Sequence, residues 1–298
     1  MSLLVEGEWE LDGYRFGGGG ESRRPVFVLA SPLDYGDPAL RTQDVDAPGR
    51  DGVMVGRDYL GGAEIQMTLG VIDEADVWAR LAEVAAVWRA GNRREPGTLS
   101  TLRVMRNGRA LRAYGRPRKF SVKPTDVNND EVQQVDVSFT VTDPYWYRET
   151  PKQASNSLTL RLVAASSDGG LVLPAVAPLE LRSGSQKRTG AVRVDSVAPS
   201  PFRVTVKGPT TGALSNIKVA GKGWVLETSA SLAWDQSLVI DTRLGTIQRD
   251  GVHIPGTLSR ASRLNARLQP GAQTISFTGS DLSNTASATL EWLDAVPM

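Results

Sequence analysis

The 298-residue chain contains no cysteine and only one histidine. The first absence removes disulfides, thiol catalysis and cysteine-built zinc sites together, so the fold must stand on packing. The second leaves His253 as the sole imidazole for a Ser-His-Asp triad or a histidine metal centre. It lies in "RDGVHIPGTL", where Asp250-Gly251 reads as a turn before a short strand, the setting of a polar residue on a strand face. No apolar run approaches the roughly 20 residues of a membrane helix, so no membrane anchor is expected. The acidic opening, MSLLVEGEWELDG, lacks the basic start of a secretory signal, which fits cytoplasmic synthesis. Charge bias is scarce as well. Residues 1–150 carry 19 Lys+Arg against 23 Asp+Glu, a net −4, and residues 151–298 carry 15 against 10, a net +5. Neither half has the excess of a nucleic-acid-binding domain, so no sequence-specific nucleic-acid partner is expected. Among the 33 acidic residues no pair is singled out for glycoside hydrolysis. The expectation is a protein without enzymatic activity, metal or cofactor.

What the chain does have is a glycine-rich run, "GRDGVMVGRDYLGGAEIQMTL" (49–69). Glycine-rich turns can cradle phosphate, but Gly52, Gly56, Gly61 and Gly62 lack the Lys-Ser/Thr ending of a P-loop. They are not followed by a helix either, because Ile65, Met67 and Leu69 alternate with Gln66 and Thr68 as in a strand. A nucleotide site does not explain the run.

From Asp73 to Ala90, Val77, Trp78, Leu81, Val84, Ala85 and Trp88 recur at spacings of three and four, which predicts one amphipathic helix. Asp73, Glu74 and Asp76 fall in its first turn, Arg89 in its last, and Gly91 follows as the C′ residue. Both tryptophans are expected to pack against a sheet. Next, Asn107-Gly108 lies between two alternating runs, the signature of a type I′ hairpin. That turn pairs Arg106 with Arg109, Val104 with Leu111 and Arg103 with Arg112, leaving Leu102, Val104, Leu111 and Ala113 on the core face. The two arginines then oppose each other on the other face, within a stretch (103–123) of eight positive residues and no acid. Either that face is solvated or it meets an acidic partner. "QQVDVSFTV" sends Val135, Val137, Phe139 and Val141 one way, and "DPYWY" (143–147) closes the segment before a polar linker at Arg148–Ser157. Beyond it come only short strands and Gly/Pro/Asp/Ser turns, among them "APLELRS" (177–183), "FRVTVKG", "IKVAG" and "QTISFTG". The fold class expected is mainly β, an N-terminal α+β domain (1–150) and a C-terminal all-β sandwich (151–298).

Four features in order resemble the distal tail proteins of long, flexible-tailed bacteriophages, the siphophage minor tail proteins. They are the Gly-Arg-Asp-Gly loop leading into the Ile65–Leu69 strand and the tryptophan helix, the post-helix hairpin, "DPYWY", and "LVIDTRLGTIQRDGV" preceding "LQPGAQTISFTG". The resemblance implies a tail-tube-like N-terminal domain, six copies of which close a ring around the DNA-ejection channel, and a galectin-like (jelly-roll) C-terminal sandwich. It implies a virion protein, made in the host cytoplasm, with tail tube protein above the ring and the baseplate hub or tail-associated protein below. A receptor-binding protein or a cell-wall saccharide would be a further partner. On this reading the loop at 47–63, with Gly52, Gly56, Arg57, Gly61 and Gly62, is a ring-interface element ordered by its neighbours. Arg103 and Arg112 would meet the acid-rich N-terminus (Glu6, Glu8, Glu10, Asp12) across a subunit interface.

Other classes make different demands. A lectin-like adhesion module needs exposed aromatics, for which Trp224, Trp234 and Trp292 are available, although each lies on or beside an expected strand where core packing competes. A cell-wall glycosidase lacks a recognisable acid/base pair. Nucleic-acid binding rests on Arg103–Lys123 alone and predicts a steep salt dependence.

Overall fold

The computed structural model describes residues 3–19, 24–73, 75–95, 97–123, 132–152, 154–162 and 188–297. Glu74 and the expected strand at 177–183 lie outside the described residues. The chain divides into two compact units, Met1–Ala154 with Val296–Met298, and Ser155–Ala295. The first boundary falls four residues beyond the expected one, because the stretch taken for a linker begins inside the first unit's structure.

In the first unit the strands are β1 (Glu8–Leu11), β2 (Tyr14–Gly17), β3 (Val26–Asp34), the two-residue β4 (Leu40–Arg41), β5 (Val45–Asp46), β6 (Val53–Met54) and β7 (Tyr59–Leu60), then β8 (Ala63–Val71). Helix α1 (Val77–Trp88) precedes β9 (Ser100–Arg106), β10 (Arg109–Val122), β11 (Gln133–Val141) and β12 (Trp146–Arg148). The main sheet runs β2-β1-β9-β10-β11-β8-β3, with β12 paired to β10. Alternation sets its inner face. Trp9, Leu11, Leu102, Val104, Ala113, Val135, Val137 and Phe139 point into one core, joined by Val77, Leu81, Val84 and Trp88 of α1. The Asn107-Gly108 turn has φ of 51° and 68°, as a type I′ turn requires, and the hairpin register is the expected one throughout.

The helix is shorter than its apolar period. It starts at Val77 with Asp76 as N-cap, accepting from Trp78 N and Ala79 N at 3.0 Å each, so the first turn contains no acid. Asp73 sits before the helix and accepts from Ala75 N and Asp76 N. Trp78 is 59% exposed rather than buried. At about 100° per residue it lies a quarter-turn away from the Val77-Leu81-Val84-Trp88 stripe.

The second unit is all β among its described residues, apart from one short 3-10 turn (Pro255–Thr257). Its strands are β13 (Asn156–Arg161), β14 (Thr189–Val194), β15 (Phe202–Lys207), β16 (Ala213–Gly221), β17 (Trp224–Thr228), β18 (Leu232–Ala233), β19 (Ser237–Asp241), β20 (Thr246–Arg249), β21 (Val252–His253), β22 (Gly271–Ser280) and β23 (Ser287–Trp292). β24 (Asp294–Val296) carries the chain out of this unit. One sheet runs β13-β23-β15-β19-β20-β21 and the other β14-β22-β16-β17, with β18 on β16. Leu160, Val204, Ile240 and Leu290 of the first sheet share a core with Val192, Ile217, Val219 and Phe277 of the second. Two antiparallel sheets closing on one apolar layer form a sandwich.

Candidate functional site

Between Gly36 and Gly62 the chain leaves the main sheet as an arm. β4 pairs with β7 and β5 with β6, each ladder only two residues deep. Three glycines of the 49–69 run are here for steric reasons. A Cβ on Gly56 would lie 2.0 Å from Gln43 O, one on Gly62 2.4 Å from Val141 O, and one on Gly61 3.2 Å from Ala39 O. Gly52 turns the tip at φ 110° and accepts from Ala47 N at 3.0 Å. Arg57 lies over the Tyr59 ring, 5.3 Å from its centroid. The arm therefore gathers Gly52, Gly56, Arg57, Gly61 and Gly62 into one element.

Its surface is unusual for a strand pair in water. Leu40, Val45, Val53, Met54, Tyr59 and Leu60 are exposed, and Val55 is 83% exposed. A lone two-stranded ribbon is marginal in water, and clustered exposed apolar side chains mark interaction surfaces.

The arginine hairpin has a different fate, which corrects the expected placement of Glu8, Glu10, Arg103 and Arg112 at a subunit interface. Register sets Arg15 opposite Glu10, Glu10 opposite Arg103, and Arg103 opposite Arg112, so one row crosses β2, β1, β9 and β10. Arg103 is buried; its Nη1 donates to Glu10 Oε1 at 2.8 Å, and its Nε and Nη2 grip both oxygens of Glu149 at 2.8 Å each. Glu149 also accepts from Arg112 Nε at 2.8 Å. Arg15 reaches Glu10 at 3.1 Å and Glu8 at 3.7 Å, and Arg24 reaches Glu8 at 2.5 Å. Arg24, Glu8, Arg15, Glu10, Arg103, Glu149 and Arg112 thus alternate in sign along one chain of contacts. The bidentate Glu149 contact, foremost, raises the Arg103 pKa against the opposing effect of burial. The other N-terminal acids are also engaged within the chain. Glu6 accepts from Asn107 N and Gly108 N at 2.6 and 2.9 Å, and Asp12 lies 3.0 Å from Arg93 Nε. Acid and arginine do meet, but in cis, where the repulsion between Arg103 and Arg112 is relieved by the carboxylate between them.

Glu149 is the residue that sequence reasoning missed, since it lies in "RETPKQASNS", read as linker. The signal was local. Glu149 lies two residues beyond the buried aromatics Trp146 and Tyr147, and its backbone N–H still pairs with Ala110 O at 2.9 Å. A second correction concerns the sugar platform. Trp224 and Trp292 are buried in the sandwich core, and only Trp234, 63% exposed, remains at the surface. His253 is exposed on β21 and pairs across to Gln248. Among the described residues no group of three or more His, Asp or Glu is arranged to hold a metal ion.

Similarity to solved structures now has a geometry to compare. The Dit protein of phage SPP1, described as a paradigm of the hub adsorption apparatus in phages infecting Gram-positive bacteria, aligns over 97% of this chain and 98% of its own, with a TM-score of 0.56 and 11% identity. This chain has the fold of a phage hub protein. A protein of the phage P2 baseplate, in its activated conformation with Ca, aligns over 97% and 98% with a TM-score of 0.59 and 10% identity. The corresponding Sr-bound structure covers 95% and 97%, at 0.57 and 9% identity. No family model matches the chain, and no curated protein matches its sequence.

Proposed function

We propose that this chain is a non-enzymatic structural subunit of a phage tail tip, a distal tail protein whose copies close into a ring, six being the favoured number. Tail tube protein would lie above the ring and the baseplate hub below. The observation that carries the reading is the end-to-end likeness to hub and baseplate proteins, which spans both units and not one common domain. The arm supports the assembly step. Its exposed Val, Leu, Met and Tyr side chains would be covered by a neighbouring copy, and its two-residue ladders would gain partners there.

Native mass spectrometry and negative-stain imaging of the full chain, alone and mixed with tail tube protein, test this. The expected result is a closed oligomer with a central hole. Changing Val53 and Leu60 together to Asp should leave the monomer's melting temperature within about 2 °C, since both side chains already face water, yet abolish the oligomer. A chain that stays monomeric at high concentration and in the presence of tail tube protein would sink the ring reading.

A further inference from the structure

The tip of the β9–β10 hairpin carries a chemistry that its role in setting register does not use. Asn107-Gly108 is the chain's single Asn-Gly pair, and both residues are exposed. The Asn107 side-chain amide makes no hydrogen bond among the described residues. What is held is the backbone beneath it. Asn107 N donates to Glu6 Oε1 at 2.6 Å and Gly108 N to Glu6 Oε2 at 2.9 Å, so one carboxylate takes both N–H groups of the turn. Glu6 lies 101 residues away from Asn107 in sequence and is itself placed by its neighbours. Glu8 N donates to Val5 O at 3.0 Å, and Gly7, at φ 76°, donates to Met105 O at 2.9 Å.

An Asn-Gly pair is open to attack on itself. The Gly nitrogen, once its proton passes to water or hydroxide, bonds to the Asn Cγ, and glycine has no Cβ to hinder the approach. The Cγ–Nδ2 bond breaks, the amide nitrogen leaves as ammonia, and a succinimide ring remains. Water then opens the ring at either carbonyl. The product is aspartate or, with an extra carbon in the main chain, isoaspartate; nothing is oxidised or reduced.

The folded turn opposes the first step in two ways. In a type I′ turn the first central residue has ψ of about 30°, which sets the following nitrogen nearly anti to Cβ. Attack requires that nitrogen to eclipse Cβ, a rotation of about 150° that the paired strands prevent. The Glu6 carboxylate adds charge to geometry, because an anion accepting from Gly108 N–H disfavours loss of that proton. We propose that Asn107 is a site of spontaneous conversion to aspartate and isoaspartate, and that Glu6 keeps it closed in the folded chain. Either product brings a second carboxylate up to Glu6, and like charges that close repel. Isoaspartate also lengthens the turn that sets Arg103 opposite Arg112. The mark is one-way, and it accumulates in chains whose N-terminal segment has not docked on the hairpin.

The experiment incubates the full chain at neutral pH and follows each asparagine by peptide-mapping mass spectrometry, with isoaspartate resolved chromatographically. The urea-unfolded parent supplies the open rate at Asn107. The folded parent is expected to convert at least about tenfold more slowly, and Glu6→Ala to regain about tenfold. Glu6→Gln, which keeps one acceptor oxygen and drops the charge, should fall between the two. Asn92 in the first unit and Asn284 in the second are internal references. Loss of a clamp on the hairpin alone leaves their rates unchanged, whereas a general loosening of the fold raises Asn92 as well. The proposal is overturned if the folded parent converts at the unfolded rate, if Glu6→Ala leaves Asn107 unchanged, or if Asn92 rises in step with it. Ring formation is read separately and has no part in the outcome.

Discussion

Glu149 holds two arginines at once, one of them fully buried, so its loss should be felt by both. Glu149→Gln is expected to cost the first unit about 3–5 kcal/mol in urea unfolding, since Arg103 keeps its charge but loses its bidentate partner. Arg112→Thr, at a rim position, should cost about 1 kcal/mol, and the double variant less than the sum. A Glu149→Gln protein within about 1 kcal/mol of the parent would show that the network contributes little. The hairpin register was legible because Asn-Gly fixes it locally. The burial of Arg103 was not, because it depends on a carboxylate 46 residues away in sequence. A further residue-scale consequence follows from Asp281. Burial alone would raise its pKa, but the N–H groups of Ala286, Ser283 and Thr285 and the Ser283 hydroxyl together hold it below the ordinary value. A folded-state value under the unfolded value of about 3.9 means the contribution is full above that pH and is lost as pH falls through the depressed value. The second unit's melting temperature should therefore drop below about pH 4, and Asp281→Asn should flatten that drop.

At the scale of the element, α1 shows where periodicity stops being enough. The apolar spacing located the helix, yet its start was set by the Asp76 carboxylate, and Trp78 fell off the buried stripe. Asp76→Ala should lower stability by about 1 kcal/mol in thermal melts, whereas Trp78→Gln should change it by less than about 0.5 kcal/mol. The arm was legible only as a run of glycines. Composition signalled tight backbone approaches, but the strand pairings that require them join residues up to 20 apart and follow no alternation. Gly36, at the arm's root, has φ of 74°, and a Cβ there would lie 2.5 Å from Glu64 O. Gly36→Ala should accordingly cost about 2 kcal/mol or more and raise amide exchange along residues 36–62 before it affects β11.

At the scale of the molecule, the sandwich was readable from turn spacing and alternation, and the four tail-protein features gave the order of the parts. What the sequence concealed is that the first unit is discontinuous. The polar Arg148–Ser157 stretch drew attention as the boundary, while a second crossing at the far end has no compositional mark. Val296 packs against the core of the first unit, so deleting residues 296–298 should lower that unit's unfolding transition by calorimetry and leave the second unit's transition in place. This has a bearing on synthesis. Val296 leaves the ribosome after all of Ser155–Ala295, and chains emerge at about 5–20 residues per second. The first unit consequently waits several seconds or more for its last contact, and a stalled or shortened translation product never receives it. A first unit made without Val296 therefore lacks part of its packing, however long Met1–Ala154 has had to fold.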